Sequence, residues 1–259
     1  MTTNEQELTS RSSRRSLLKG TIVGATGLAA TGGVASAAFF LSQSNATNAH
    51  AASENYSDRQ DNGNSIKTIL NVAITAETLA VIFYKQVLNN ANQLGLNNTA
   101  KKDIQAALVE EAVHRQFLAK QGAKPLTTRF SFPFGRDTFR RFDRFIQTQQ
   151  QLEALFVAAY LAAGKEFAMM NRPDLVLVAA QIGGVEAEHR AIGRAIGGMT
   201  PANNRAFETA LLRKVGDAPG VMKKAGFLGP NRNNSWDYQD ESTDMDGIMG
   251  MMPEDQDWS

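Results

Sequence analysis

Two glutamate–histidine pairs, each at a spacing of three, constrain this chain more than any other feature. Of its three histidines, two close the pattern Glu-x-x-His, as Glu111-Ala112-Val113-His114 and Glu186-Ala187-Glu188-His189. Positions i and i+3 share a face on a helix, so each pair sets a carboxylate beside an imidazole. Each pair also follows a lone glutamate at nearly the same distance: Glu77 lies 34 residues before Glu111, and Glu153 lies 33 before Glu186. The chain therefore repeats one unit twice: a helix bearing Glu, a short connection, and a helix bearing Glu-x-x-His.

Apolar periodicity places all four helices. Ile66, Leu70, Ala73, Glu77, Val81, Tyr84 and Leu88 form one stripe at spacings of three or four, and Asn64-Ser65 offers an N-cap before it. The spacing predicts a second helix from about Thr99 to Gln121, ended by Gly122, with Ile104, Leu108, Glu111, His114 or Arg115, and Leu118 on one face. A third begins near Asp137 and carries Phe142, Ile146, Gln149, Glu153, Phe156 and Tyr160; Gly164 and Pro173 bracket the connection after it. The fourth runs from about Asp174 to Ile196 through Leu175, Ala179, Ile182, Glu186, His189 and Gly193, with Gly183-Gly184 as a weak point that marks close helix approach or a kink. Between helices 2 and 3, the segment Gly122–Arg136 can span about 50 Å extended, more than the about 35 Å of a bundle helix. It can thus return along the bundle and set helix 3 parallel to helix 2. A fifth helix is expected from Asn203 to Val215, followed by an acidic, methionine-containing flexible tail from Asp237. The fold class is all-α, a four-helix bundle over residues 65–198.

Each inward stripe carries a glutamate, and two carry a histidine as well. Burying one unpaired carboxylate costs several kcal/mol, and four together repel. Arg115 and Arg190 are the only basic residues near them on those stripes. Two divalent cations would balance four carboxylates, with neutral imidazoles completing a ligand set of Glu77, Glu111, His114, Glu153, Glu186 and His189. Glutamates on two helices and Glu-x-x-His on two others form the pattern of di-iron and di-manganese bundles. Carboxylate and imidazole accept either metal, so the expected cofactor is two Fe or two Mn ions.

Residues 66–197 resemble the ferritin-like superfamily, and within it the bacterial and plant proteins that include desiccation-related proteins. The resemblance is carried by Ala76-Glu77-Thr78-Leu79 with Phe83-Tyr84, by Glu111-Ala112-Val113-His114 with Phe117-Leu118, by Leu152-Glu153 with Ala159-Tyr160-Leu161, and by Val185-Glu186-Ala187-Glu188-His189. It covers about half the chain. Helix 1 departs from it, with Ala80 and Ile82 where relatives often carry more glutamate. The resemblance implies that Glu77 and Glu153 each serve mainly one metal, that Glu111 and Glu186 bridge, and that His114 and His189 cap one metal each. Glu110 and Glu188 stand one residue off the stripes, and Glu166 falls past Gly164 on another side, so none of the three is expected in the ligand set. Tyr84 and Tyr160 follow Glu77 and Glu153 by seven residues, about 10 Å along the axis. That is too far for direct ligation from the same helix. It leaves a hydrogen-bond donor or electron relay to the ligands, or a core aromatic with its hydroxyl satisfied.

The ends of the chain speak to location. Ser13-Arg14-Arg15-Ser16-Leu17-Leu18-Lys19 resembles a twin-arginine export signal, and the mildly apolar stretch Gly20 to Leu41 suits a cleaved leader. Ala49-His50-Ala51 is one cleavage site and Ala35-Ser36-Ala37 its rival; an uncleaved anchor is the alternative, and residues 52–64 read as a linker. The expected location is outside the cytoplasmic membrane, reached through the twin-arginine machinery. A net charge of +1 gives no support to nucleic-acid binding. The absence of cysteine excludes disulfides, zinc–thiolate sites and iron–sulfur clusters. Arg129, Arg136, Arg140, Arg141 and Arg144 form a basic run read as a solvated face, with a dock for the acidic tail as the alternative. The expected function is an oxidoreductase acting on O2 or peroxide, ferroxidase or catalase-like. The alternatives are a non-enzymatic stress-protective bundle or a metal-storage protein, the last requiring a homo-oligomer.

Overall fold

The computed structural model describes residues 64–245, with 247 and 253. The twin-arginine segment, both cleavage sites, residues 52–63 of the linker and nearly all of the chain after 245 lie outside the described residues. Within them, four long helices form the bundle: α1 (Ile66–Asn89), α2 (Asn98–Lys120), α3 (Phe142–Met169) and α4 (Pro173–Ile196). Ser65 caps α1 by accepting from Thr68 N, and Asn97 caps α2 by accepting from Ala100 N at 2.8 Å. Such caps are worth about 1 kcal/mol each. Gly122, at φ +80°, takes the left-handed position that closes α2. α3 runs straight through Gly164 to Met169, beyond the break expected there. A single glycine costs a helix about 1 kcal/mol, and the buried Ala162, Ala163 and Phe167 around it hold the helix against the core.

Side-chain pairings fix the directions. Arg115 on α2 reaches Thr78 on α1, while Lys101, earlier on α2, reaches Asn92 just past the end of α1, so the two helices are antiparallel. The chain then returns along α1. Lys124 N bonds Asn71 Oδ1, Leu126 N bonds Thr75 Oγ1, and Phe132 and Phe139 pack against Phe83. Phe83 also stacks on Phe145 at the start of α3. The crossover thus delivers α3 antiparallel to α1 and parallel to α2. Its aromatics Phe130, Phe132 and Phe139 are buried, so it brings its own core with it.

Beyond α4 the chain differs from expectation. Residues 203–214 form no helix; the short helix is α5, Ala218–Lys224. Buried Arg190 on α4 gives the reason. Its guanidinium binds Glu208 and Asn204, and a buried cation without a carboxylate partner is costly. The irregular path lets Glu208 and Asn204 reach it while Leu212 and Val215 still enter the core, and leaves Phe207 in solvent.

The start of the acidic tail is docked, which departs from the flexible tail expected from Asp237. Strand β1 (Arg129–Phe130) pairs antiparallel with β2 (Trp236–Asp237). Trp236 packs edge-on against Phe132 and Phe139, the Arg115 guanidinium lies 3.8 Å over the Tyr238 ring, and Glu241 meets Lys85 at 2.7 Å. Of the basic run, Arg129 binds Asp237 in the tail, Arg141 binds its neighbour Asp143, and Arg144 lies over Phe134.

Candidate metal centre

All six residues singled out in the sequence meet between the helices. Glu77 on α1, Glu111 on α2, Glu153 on α3, and Glu186 and His189 on α4 are buried, and His114 on α2 is nearly so. They form two groups, Glu77–Glu111–His114–Glu186 and Glu111–Glu153–Glu186–His189. Each group offers one ligand atom per residue, all within 4.8 Å of one another. Glu111 and Glu186 belong to both, and each divides its oxygens between them. Glu111 Oε2 and Glu186 Oε1 face His114 Nδ1 at 3.7 and 3.5 Å; Glu111 Oε1 and Glu186 Oε2 face His189 Nδ1 at 3.2 and 3.4 Å.

The tyrosines complete the pattern across the bundle. Tyr84 on α1 donates its hydroxyl to Glu153 Oε1 on α3, and Tyr160 on α3 donates to Glu77 Oε1 on α1. One antiparallel register produces both bonds: seven residues forward on α1 are met by seven residues back on α3. Each tyrosine therefore serves the glutamate of the opposite helix.

Hydrogen-bond bookkeeping singles out the same atoms. Glu77 Oε2, Glu153 Oε2, both oxygens of Glu111, both of Glu186, and Nδ1 of His114 and His189 are buried with no hydrogen-bond partner. Buried polar groups are paired in the great majority of cases, so eight unpaired atoms converging on one place demand an explanation. Arg115 and Arg190, the nearby basic residues, are turned to Thr78 and Tyr238, and to Glu208 and Asn204. Among the described residues, the only cationic partners these carboxylates can have are the two histidines. The donor set, hard carboxylates with imidazoles, fits divalent iron or manganese.

Protons would otherwise carry that load. Burial, then the charges of Glu111 and Glu186, push Glu77 well above the usual carboxylate range, and burial with Glu186 does the same to Glu153. Burial works the same way on Glu111, but the close approach of the Glu77 carboxyl and of the His114 and His189 imidazoles outweighs it and holds its carboxyl low. Burial opposes charge on the imidazoles; the surrounding carboxylates overcome it and raise both, Glu111 first for His114 and Glu110 first for His189. Burial and the adjacent carboxylate also raise Tyr84 and Tyr160, which keeps both phenols protonated as donors.

Two contributors escape sequence reasoning. Glu110, set aside as off the stripe, places Oε2 2.7 Å from His189 Nε2, on the far side of the imidazole from the cluster. A carboxylate there fixes the tautomer and ring orientation and raises basicity at Nδ1. No sequence signal marks it, because its partner lies on α4. Gln149 donates to the His189 carbonyl at 2.7 Å and to the Tyr84 hydroxyl at 3.3 Å. Its place on the helix 3 stripe, four residues before Glu153, is the signal that could have found it. Gly193 makes room for it: a Cβ there would fall 1.9 Å from Gln149 Oε1. Gly183 likewise lets Tyr160 approach α4, where a Cβ would come within 3.2 Å of Tyr160 Cβ. The other two excluded glutamates stay away from the cluster. Glu188 is exposed, and Glu166 accepts from Asn64 and from Val215 N.

The family described as the ferritin-like domain matches residues 66–198. No curated protein and no solved structure matches the chain.

Proposed function

The chain belongs to the ferritin-like domain family, and from that premise we propose that it holds a dinuclear iron or manganese centre and acts as an oxidoreductase on O2 or peroxide. One observation carries the reading: eight unpaired buried atoms from six residues converge in two groups that share Glu111 and Glu186. Glu77 and Glu153 each have one oxygen engaged by tyrosine and one free, which suits terminal ligands. Glu111 and Glu186 have both oxygens free and directed to different groups, which suits bridges. His114 and His189 supply one Nδ1 each. Bound iron or manganese supplies one-electron redox chemistry and Lewis acidity toward O2 or peroxide. The chain contributes a buried cage with its charge balanced by two divalent ions, two phenols steadying the terminal carboxylates, and a set imidazole at His189.

Elemental analysis of the purified protein should find about two Fe or Mn per chain, and Fe(II) or peroxide should be turned over. Failure to take up either metal on refolding with Fe(II) or Mn(II) overturns the reading. Full metal without turnover would instead assign the ions to stability alone, as in a stress-protective bundle of the desiccation-related kind.

We further propose export by the twin-arginine route, which carries folded proteins and so permits metal loading beforehand. The support is Arg14-Arg15 followed by a mildly apolar stretch. Replacing both arginines by Lys should retain the protein in the cytoplasm; unchanged export would remove the proposal.

A further inference from the structure

We propose that a pocket at the end of the bundle where α1 and α4 begin binds a small, uncharged, apolar molecule, and that its occupancy reaches Glu77 through Tyr160. The pocket measures about 230 Å3 and draws on all four helices, with Ile69, Phe117, Phe167 and Ile182 among its walls. Two polar side chains besides Tyr160 line it, Gln121 and Arg172, the first exposed and the second half-buried, which places them at the rim. The Arg172 guanidinium is already committed to Asp174, through Nε at 2.9 Å and Nη2 at 2.5 Å. The walls therefore offer dispersion and release of water but no uncommitted charge, which selects an uncharged guest over a carboxylate or an amine.

Size limits the guest further. An apolar cavity of about 150 Å3 holds benzene, so this one suits a molecule of about ten heavy atoms or fewer. The stretch that leads into α1 is a poor apolar occupant. Residues 52–63, which lead into α1, are mostly polar, with Tyr56 as their one aromatic.

Tyr160 joins the pocket to the metal centre. Its ring lines the pocket, its hydroxyl is bonded to Glu77, and its Cβ lies against Gly183 on α4. A guest pressing on the ring meets a side chain backed by α4 at one end and by Glu77 at the other.

The test uses the full chain stripped of metal, so that its failure and the failure of the metal reading are distinguishable. Toluene is titrated while the methyl signals of Ile69 and Ile182 and the carboxylate 13C signal of Glu77 are followed by NMR. All three should shift along one saturable curve. Ala179→Phe on the α4 wall, or Leu118→Trp on the α2 wall should the first not fold, should weaken binding at least about tenfold by filling the space. Tyr160→Phe should keep the affinity within about twofold, since the aromatic wall remains, and abolish the response at Glu77. Absence of saturation in the wild-type chain, the outcome expected if residues before Asn64 cover the pocket, overturns the proposal. So does undiminished binding by a folded filling variant. Hexanoate binding as tightly as toluene overturns the uncharged class, and a Glu77 response that survives in Tyr160→Phe overturns the coupling.

Discussion

Tyr84 donates its hydroxyl to Glu153, the glutamate opposite it on α3, and not to the glutamate on its own helix. The bond occupies one oxygen of a buried carboxylate and leaves the other facing the cluster. A phenol at this position decides which oxygen is left available.

Removing either phenol tests that role. Tyr84→Phe or Tyr160→Phe strips a buried carboxylate oxygen of its donor, which costs about 1–3 kcal/mol. Both variants should melt lower and keep their metal by elemental analysis. If either tyrosine also relays electrons, its Phe variant should oxidise Fe(II) more slowly in stopped flow. Equal, undiminished rates in both would leave only the donor role.

Glu110 and Glu188 make a matched pair of controls. Both stand one residue off the stripes, but only Glu110 touches an imidazole of the cluster. Glu110→Ala should lower metal affinity about 10–100-fold, whereas Glu188→Ala should leave it unchanged in competition with a chelator. Glu111→Ala or Glu186→Ala should lose both ions, and His114→Ala mainly one. Retention of both ions in the Glu111 and Glu186 variants would refute the bridging assignment.

Stability of the metal-free protein should fall as pH rises. The raised carboxyls of Glu77 and Glu153 stabilise the fold below the ordinary value of 4.5, and that contribution is lost as pH climbs through their raised folded values. His114 and His189, also raised, contribute fully below 6.5 and lose it the same way. Glu111, held low, contributes in the opposite sense, above 4.5 and lost on acidification. Above 4.5 the Glu111 contribution is already complete and constant, so the four raised groups set the trend there. Metal binding displaces these protons, so the gap in melting temperature between loaded and chelator-treated protein should widen from about pH 5.5 to about pH 8.5. A gap that narrows would contradict the assignment.

Two glycines of α4 should respond with opposite signs. Gly184 has no neighbour within 4 Å of an added Cβ, so Gly184→Ala should gain about 0.5–1 kcal/mol from helix propensity. At Gly193 the added Cβ displaces Gln149 from the His189 carbonyl and the Tyr84 hydroxyl. Loss of those buried bonds, about 1–3 kcal/mol, exceeds the propensity gain, so Gly193→Ala should be net destabilising in a thermal melt.

What could be read from the sequence follows the range of each interaction. The stripes through Glu77, Glu111, Glu153 and Glu186 are written in spacings of three and four, and an i, i+3 histidine needs no knowledge of any other helix. The length of the segment after Gly122 sufficed to orient α3, since a chain that must cover a bundle has few routes. The crossing of Tyr84 to Glu153 was not legible, because it depends on register between helices far apart in sequence. Glu110 was misjudged for the same reason: its own helix turns it aside, and His189 comes to meet it. Residues 203–215 misled because their apolar spacing looks helical, while the deciding demand, the buried guanidinium of Arg190, is set elsewhere. Tyr238 and Glu241 lie in a stretch whose acidity reads as solvated, yet Arg115 and Lys85 hold them.

The twofold repeat fails beside one of the two histidines. Glu111 and His114 correspond, 75 residues on, to Glu186 and His189; by the same step Glu110 corresponds to Val185. One imidazole is backed by a carboxylate, and its counterpart has a hydrocarbon at the equivalent place in the chain. If the cluster holds two ions as proposed, its two seats are unequal. Ions would enter it in a set order, a half-filled state would exist over a range of concentrations, and two different metals could share one molecule without competing for the same place.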